Sequence, residues 1–161
     1  MTRAVDILLN LTDIKGESKI FDHIDDIDVL NWSWGMSQSG TMHAGGGGGA
    51  GKVNVQDLSI TKYVDNSTTD LMMACCKGTH FDKGTQTVRK AGDKPLDYLV
   101  IRMTKVLVTN YSADGASGGD MLMENISLNF AQVEVDYTPQ DDKGAGSAAN
   151  TMTWDCEANN E

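Results

Sequence analysis

Apolar side chains recur at every second position along most of this chain, the period of half-buried strands and not the 3.6 of a helix. On that pattern, residues 4–11 form a first strand, 15–26 a polar loop and 27–39 a long strand. A loop over 41–52, built around five consecutive glycines at 45–49, leads into a strand over 53–64. In that strand Val53 and Val55 are out of phase with Leu58 and Ile60, which predicts a bulge near Asp57. Further strands are expected over 81–90, 96–110, 122–137 and 151–156, with a Gly/Ser-rich turn over 113–120, a phase slip near Ala131 and a flexible loop over 139–150.

The one helix expected lies at 67–77. Ser67 or Thr68 can cap it, Asp70 suits its first turn, Lys77 suits its last, and Gly78 is a natural stop. Leu71, Met72, Cys75 and Cys76 are expected on its buried face. Seven strands and one helix result, and several strands are more than twice the usual length of about 5–6 residues. The 96–110 strand carries apolar residues on both faces. Such strands need covering on two sides: a barrel or sandwich supplies one, and a neighbouring subunit can supply the other.

Composition narrows the function. Of 161 residues, 40% are hydrophobic and 22% charged, which argues against wholesale disorder. Thirteen Lys and Arg against 23 Asp and Glu leave a formal charge of -10, so nucleic acid and anionic membranes are disfavoured as partners. No apolar run approaches the roughly 20 residues of a membrane-spanning helix, and Asp6 interrupts the short Ile7-Leu8-Leu9 run after Arg3. The expectation is a soluble protein made in the cytoplasm without a signal peptide. Cys75, Cys76 and Cys156 do not form a disulfide framework and read as small buried hydrophobes.

Candidate chemistry is sparse. Gly46, four residues, Gly51 and Lys52 nearly match a phosphate-binding loop, but Val53 stands where magnesium needs Ser or Thr, and an alternating strand follows in place of a helix. His23, His43 and His80 lie in separate loops or loop edges. Asp25, Asp26 and Asp28 read as a solvated acidic turn, without the ladder of a calcium site. Neither a nucleophile elbow nor a carboxylate pair is present to suggest an enzyme. No metal or cofactor is expected. More informative is the stretch 30–39: Leu30, Trp32, Trp34 and Met36 alternate with Asn31, Ser33, Gly35 and Ser37. The large face is core or interface. The small, uncharged face is either a smooth hydrated wall or an ordinary solvent face.

The chain resembles the haemolysin-coregulated protein (Hcp) family, the tube component of bacterial type VI secretion. The resemblance is carried by Asp13-Ile14-Lys15-Gly16-Glu17-Ser18, by Asn31-Trp32-Ser33-Trp34-Gly35-Met36-Ser37-Gln38, by Gly51-Lys52-Val53-Asn54-Val55-Gln56-Asp57-Leu58 and by Glu124-Asn125-Ile126-Ser127-Leu128-Asn129-Phe130. It covers about residues 4–139 and departs at 113–120 and after Pro139. It implies a mainly β fold: one domain over 1–161, a compact barrel of two antiparallel sheets with one flanking helix, an extended glycine loop at 41–53 and a flexible C-terminal segment at 139–161. It also implies a homohexameric ring with a wide channel, rings stacked into a tube within a contractile sheath and baseplate, and a trimeric spike at the tip. Small secreted effectors would be carried in the lumen, and the tube would leave the cell through its own machine. Asn31, Ser33, Gly35 and Ser37 are then the lumen candidates. Thr41, His43, Gly45, Gly46, Gly47, Gly48, Gly49 and Lys52 are the ring-stacking candidates. The alternatives are a phage-type tail tube subunit, a nucleotide-binding protein using the loop Gly46 to Lys52, and a monomeric secreted adhesin or lectin.

Overall fold

The computed structural model describes residues 5–40, 51–92, 94–140 and 148–161. Along the chain these form β1 (Val5–Leu11), β2 (Ile27–Val29), β3 (Asn31–Ser33), β4 (Met36–Ser37), β5 (Asn54–Val55), β6 (Leu58–Tyr63), α1 (Thr68–Lys77), β7 (His80–Lys90), β8 (Leu96–Asp114), β9 (Met123–Tyr137) and β10 (Asn150–Asp155).

All pairings among these strands are antiparallel. The main sheet runs β2-β1-β7-β8-β9-β6-β3, with β10 also on β9, and β4-β5 form a small second sheet. The two ends of that path, β2 and β3, are separated in sequence by Leu30 alone. One chain segment therefore supplies both edges, and the sheet rolls into a nearly closed barrel. Leu30 N–H donates to Thr61 O at 2.8 Å as the chain passes from one edge to the other. Closure removes the unpaired edges that would otherwise invite uncontrolled strand addition.

Inside lie Leu9, Leu11, Ile27, Val29, Leu58, Ile60, Ile101, Met103, Val106, Val108, Ile126, Leu128 and Phe130, all buried. Each such side chain stabilises the fold by about 1.5–3 kcal/mol. On β6 the alternation is regular, with Leu58, Ile60 and Lys62 inward. On β8 and β9 it is not. Inward positions run Ile101, Met103, then Val106, Val108 on β8, and Ile126, Leu128, Phe130, then Val133 on β9. Both strands slip at the same rung, so Thr104 still faces Gln132 and Val106 still faces Phe130. The slip is accommodated by Lys105 at φ 55, and Cys156 N–H donates to Ala131 O at 2.8 Å. This explains the slip expected at Ala131 and the two apolar faces of the 96–110 strand. That strand continues to Asp114, with a bulge between Val108 and Asn110.

Three expectations are corrected. The 27–39 strand is broken into β2, β3 and β4, because each piece pairs with a different strand. The 53–64 strand is broken at Gln56 and Asp57: Val55 pairs with Met36, whereas Leu58 pairs with Leu128. The buried face of α1 consists of Thr68, Leu71 and Ala74, with Cys75 half-buried, while Met72 and Cys76 are exposed. The helix ends as expected, with Gly78 at φ 64 and its N–H on Ala74 O.

Residues 12–26 wrap the outer side of β1 and β7. A side chain at Gly16 would stand 2.5 Å from Asp26 O, so only glycine allows the loop this close. Asp26 is buried and accepts from Asn10 Nδ2 at 2.8 Å and from His23 Nδ1 at 2.7 Å, so the acidic turn is not wholly solvated. Arg89 donates to Asp97 at 2.5 Å and to Phe21 O at 2.7 Å, pinning the loop's far end.

Candidate functional site

The registers of β3, β6, β9 and β8 assemble a surface that no single strand contains. Ser33 faces Ser59, Ser59 faces Ser127, and Ser127 faces Asn110. One rung along, Asn31 faces Thr61, Thr61 faces Asn125, and Asn125 faces Ser112. Directly opposed residues share a face of the sheet, so these eight Ser, Thr and Asn side chains form one outward patch without a charge. The rung between them, Trp32, Ile60, Ile126 and Tyr111, points into the barrel. Thr61 Oγ1 donates to Asn125 Oδ1 at 2.7 Å, and the hydroxyls of Ser59 and Ser127 lie 3.4 Å apart. At its edge Asp57 accepts from Thr109 Oγ1 at 2.6 Å and from Asn129 Nδ2 at 2.9 Å.

Asn31 and Ser33 are thus together and exposed on β3. Gly35 and Ser37 are not with them. The main strand stops after Ser33; Gln56 N–H donates to Gly35 O at 2.9 Å, Trp34 Nε1 donates to Gln56 O at 2.9 Å, and Ser37 pairs with Asn54 in the small sheet. Sequence reading misses Ser59, Thr61, Asn110, Ser112, Asn125 and Ser127. The usable signal is the period-two placement of small polar residues on β6 and β9. What turns it into a patch is register, which a single strand does not encode.

Directly behind this patch lies a buried polar cluster. Lys62 and Glu124 are both fully buried and bonded to each other, and Lys62 Nζ also donates to Asp65 Oδ1 and Tyr63 O, each at 2.9 Å. Glu124 accepts further from Thr68 Oγ1 at 2.9 Å and from Tyr111 Oη at 2.5 Å. Burial, then the bond to Glu124, pushes the Tyr111 hydroxyl up to about 12. Asp65 rather than Ser67 organises the start of α1, since it takes both the N–H and the hydroxyl of Ser67. The cluster joins β6, β9, β8 and α1; its Lys62–Glu124 centre is closed to solvent, while Asp65 and Tyr111 are partly exposed.

Among the ring-stacking candidates, Thr41, His43 and Gly45 to Gly49 lie outside the described residues. Lys52 is described. It is exposed and lines a groove of about 460 Å³ with Gln56, His80, Lys105, Asn129 and Trp154. The residues after Lys52 enter a strand, so no helix N-terminus is present there to hold a phosphate. Among the described residues, no cluster of His, Cys, Asp and Glu is arranged to hold a metal, and no helix is long and apolar enough to cross a membrane.

Comparison with known proteins gives a consistent answer. Residues 8–137 match the family described as "Type VI secretion system effector, Hcp". The chain is 59% identical over 143 residues to Protein hcp1 of Pseudomonas aeruginosa, covering 88% of each. Among solved structures, a type six secretion system protein superposes with a TM-score of 0.90 at 31% identity, covering 97% of this chain and 98% of that one. Hcp1 from Salmonella typhimurium superposes with a TM-score of 0.81 at 33% identity, covering 98% and 99%.

Proposed function

The chain belongs to the Hcp family of type VI secretion proteins, and from that premise we propose that it is a structural subunit of the secretion tube, acting by assembly and not by catalysis. Six copies close into a ring as one-domain bricks over residues 1–161, and rings stack within a contractile sheath and baseplate under a trimeric spike. Sheath contraction expels the tube. The lumen carries small effectors.

The observation that carries this reading is the uncharged Ser/Thr/Asn patch of β3, β6, β9 and β8. In a chain of net charge -10, a patch of eight polar residues without a charge is the exception that a channel wall would require. A wall of short hydroxyl and amide side chains keeps hydrogen-bonding water and offers neither a charge nor a greasy surface on which passing cargo would stick. Asn31 and Ser33 lie within it. Gly35 and Ser37 serve at its margin, at the root of the small sheet. Residues 41–53 make the contact between stacked rings.

Sedimentation velocity tests the assembly: the expected species is six times the 17.4 kDa chain. A chain that stays at 17.4 kDa at high concentration overturns the reading. Ser33→Arg then tests the patch. The expected result is an intact ring with lowered effector retention. Loss of the ring would put Ser33 at a subunit contact and refute the lumen assignment.

A further inference from the structure

The groove beside Lys52 gathers basic side chains. Lys52, Lys105 and His80 converge on it in a protein with ten more acidic than basic residues. Among the described residues, none of the three stands within ion-pair distance of a carboxylate, and unlike other unpaired lysines such as Lys15 and Lys77 they share one groove. One carboxylate, Glu157, lines the same groove, and Asp155 stands close enough for Lys105 to act on it through space. Trp154 also lines the groove, and its Nε1 is buried without a hydrogen-bond partner.

Lys105 carries a further mark. Of the five described non-glycine residues with positive φ, four are Asp or Asn, which tolerate that region; Lys105, at φ 55, is the fifth. Local rules tend to be broken where another function takes precedence. The backbone slip at Lys105 turns the strand so that its side chain reaches the groove and not the rung that the alternation would give it.

We propose that this groove is a carboxylate-binding contact between copies: Lys52, Lys105 and His80 of one chain receive an acidic segment of a second copy. The inference rests on the ring and tube reading above. The occupant follows from charge. Subunits of net charge -10 repel one another, so an assembly of them needs local contacts where unpaired cations meet a neighbour's carboxylates. In such an assembly the acidic polypeptide held nearest to each groove is the adjoining copy. Lys52 to Gln56 line the groove and lead through β5 into β6.

The test uses the full-length chain in its assembled form. Unlabelled and ¹⁵N-labelled copies are mixed, assembled and treated with a carbodiimide, which joins a lysine amine to a touching carboxylate. Mass spectrometry should find Lys52 or Lys105 linked to an Asp or Glu with mixed labels. Links confined to one label, or to Glu157 and Asp155 of the same chain, overturn the proposal. In parallel, Lys52→Glu with Lys105→Glu should weaken assembly about tenfold by sedimentation and flatten its salt dependence, while Lys77→Glu on the exposed helix end should not. Should the double charge reversal fail to fold, Lys52→Gln with Lys105→Gln replaces it. A wild-type ring whose stability and salt response the variants leave unchanged refutes the groove and spares the tube reading. A wild-type chain that never assembles refutes both.

Discussion

The Lys62–Glu124 pair gives a demanding test of the fold. Neither side chain is exposed, and the pair sits where β6 would otherwise continue its apolar alternation of Leu58 and Ile60. Taking two charges out of water costs several kcal/mol each, and their mutual attraction offsets this only when the remaining hydrogen-bond positions are filled. Here they are filled, by Asp65 and Tyr63 O around the ammonium and by Thr68 and Tyr111 around the carboxylate. Lys62→Met removes the cation and leaves Glu124 buried without it, which should cost about 3–5 kcal/mol. Lys62→Met combined with Glu124→Met removes both charges. The remaining loss is the cation of Asp65, which keeps its bonds from Ser67, and the neutral partners at about 1 kcal/mol each, partly offset by apolar burial. The double variant should therefore be more stable than the single one, with a coupling energy of about 2 kcal/mol or more. Urea unfolding followed by circular dichroism measures it, at one fixed protomer concentration because assembly contributes to stability. In a chain of this length the single variant should also melt about 10 °C lower. A Lys62→Met variant that loses less than about 1 kcal/mol, or a double variant that is worse than the single, refutes the account of a satisfied buried pair.

Three further outcomes are expected. Tyr111 titrates near 12 in the fold against about 10 when unfolded, so its neutral form is held by the native state. Its contribution is intact below pH 10 and is lost as pH rises from about 10 through 12, and Tyr111→Phe should flatten that alkaline edge in a melting-temperature titration. For Asp97, burial opposes ionisation, but the hydrogen bond and charge of Arg89, with help from His23, outweigh it and hold the carboxyl below its usual range. That stability is present above about pH 4 and lost as pH falls through the lowered value; Asp97→Asn should remove this acid dependence, with an effect under about 1 kcal/mol because the side chain is over a third exposed. Gln86 sits among the core residues of β7 with neither amide atom hydrogen-bonded, so Gln86→Met should raise stability by about 1–2 kcal/mol in urea unfolding, and a loss would show that the amide is satisfied.

Much of this architecture can be read from the sequence because period two survives in it. Strands β1, β7 and β9 lie close to where the alternation places them, and the helix with its Gly78 stop follows from local chemistry. The slip at Ala131 is visible because Phe130 and Val133 both demand the core. What is not legible depends on residues distant in the chain. Nothing within residues 27–39 says that Val29 pairs with Ile7 while Asn31 pairs with Thr61, so the break at Leu30 that closes the barrel is invisible locally. The phase change near Asp57 shows in the sequence, but it marks a change of pairing strand and not the bulge it suggests. On the helix, Met72 and Cys76 are apolar enough to suggest burial, but the barrel offers a face only wide enough for Thr68, Leu71, Ala74 and half of Cys75. The burial of Lys62 and Glu124 is not legible either, because each needs the other, across 62 residues, to be tolerable inside.

The same register separates the two duties of this sheet. Asn31, Thr61, Asn125 and Ser112 face outward, while Trp32, Ile60, Ile126 and Tyr111 on the adjoining rung face inward, so successive residues answer to different constraints. The inward set fixes strand register, because a one-residue slip would bury the Ser and Asn side chains and expose the apolar ones. The Lys62–Glu124 cluster reinforces that lock, since a slip would pull the buried cation away from its carboxylate. The outward set is then released from any role in folding, apart from weak hydrogen bonds such as Thr61 to Asn125. Substitutions there should change what this outward patch presents with little effect on stability, whereas changes one residue away should alter stability first. Under the proposed lumen reading, that division would let the patch be retuned for different cargo while the fold keeps its shape.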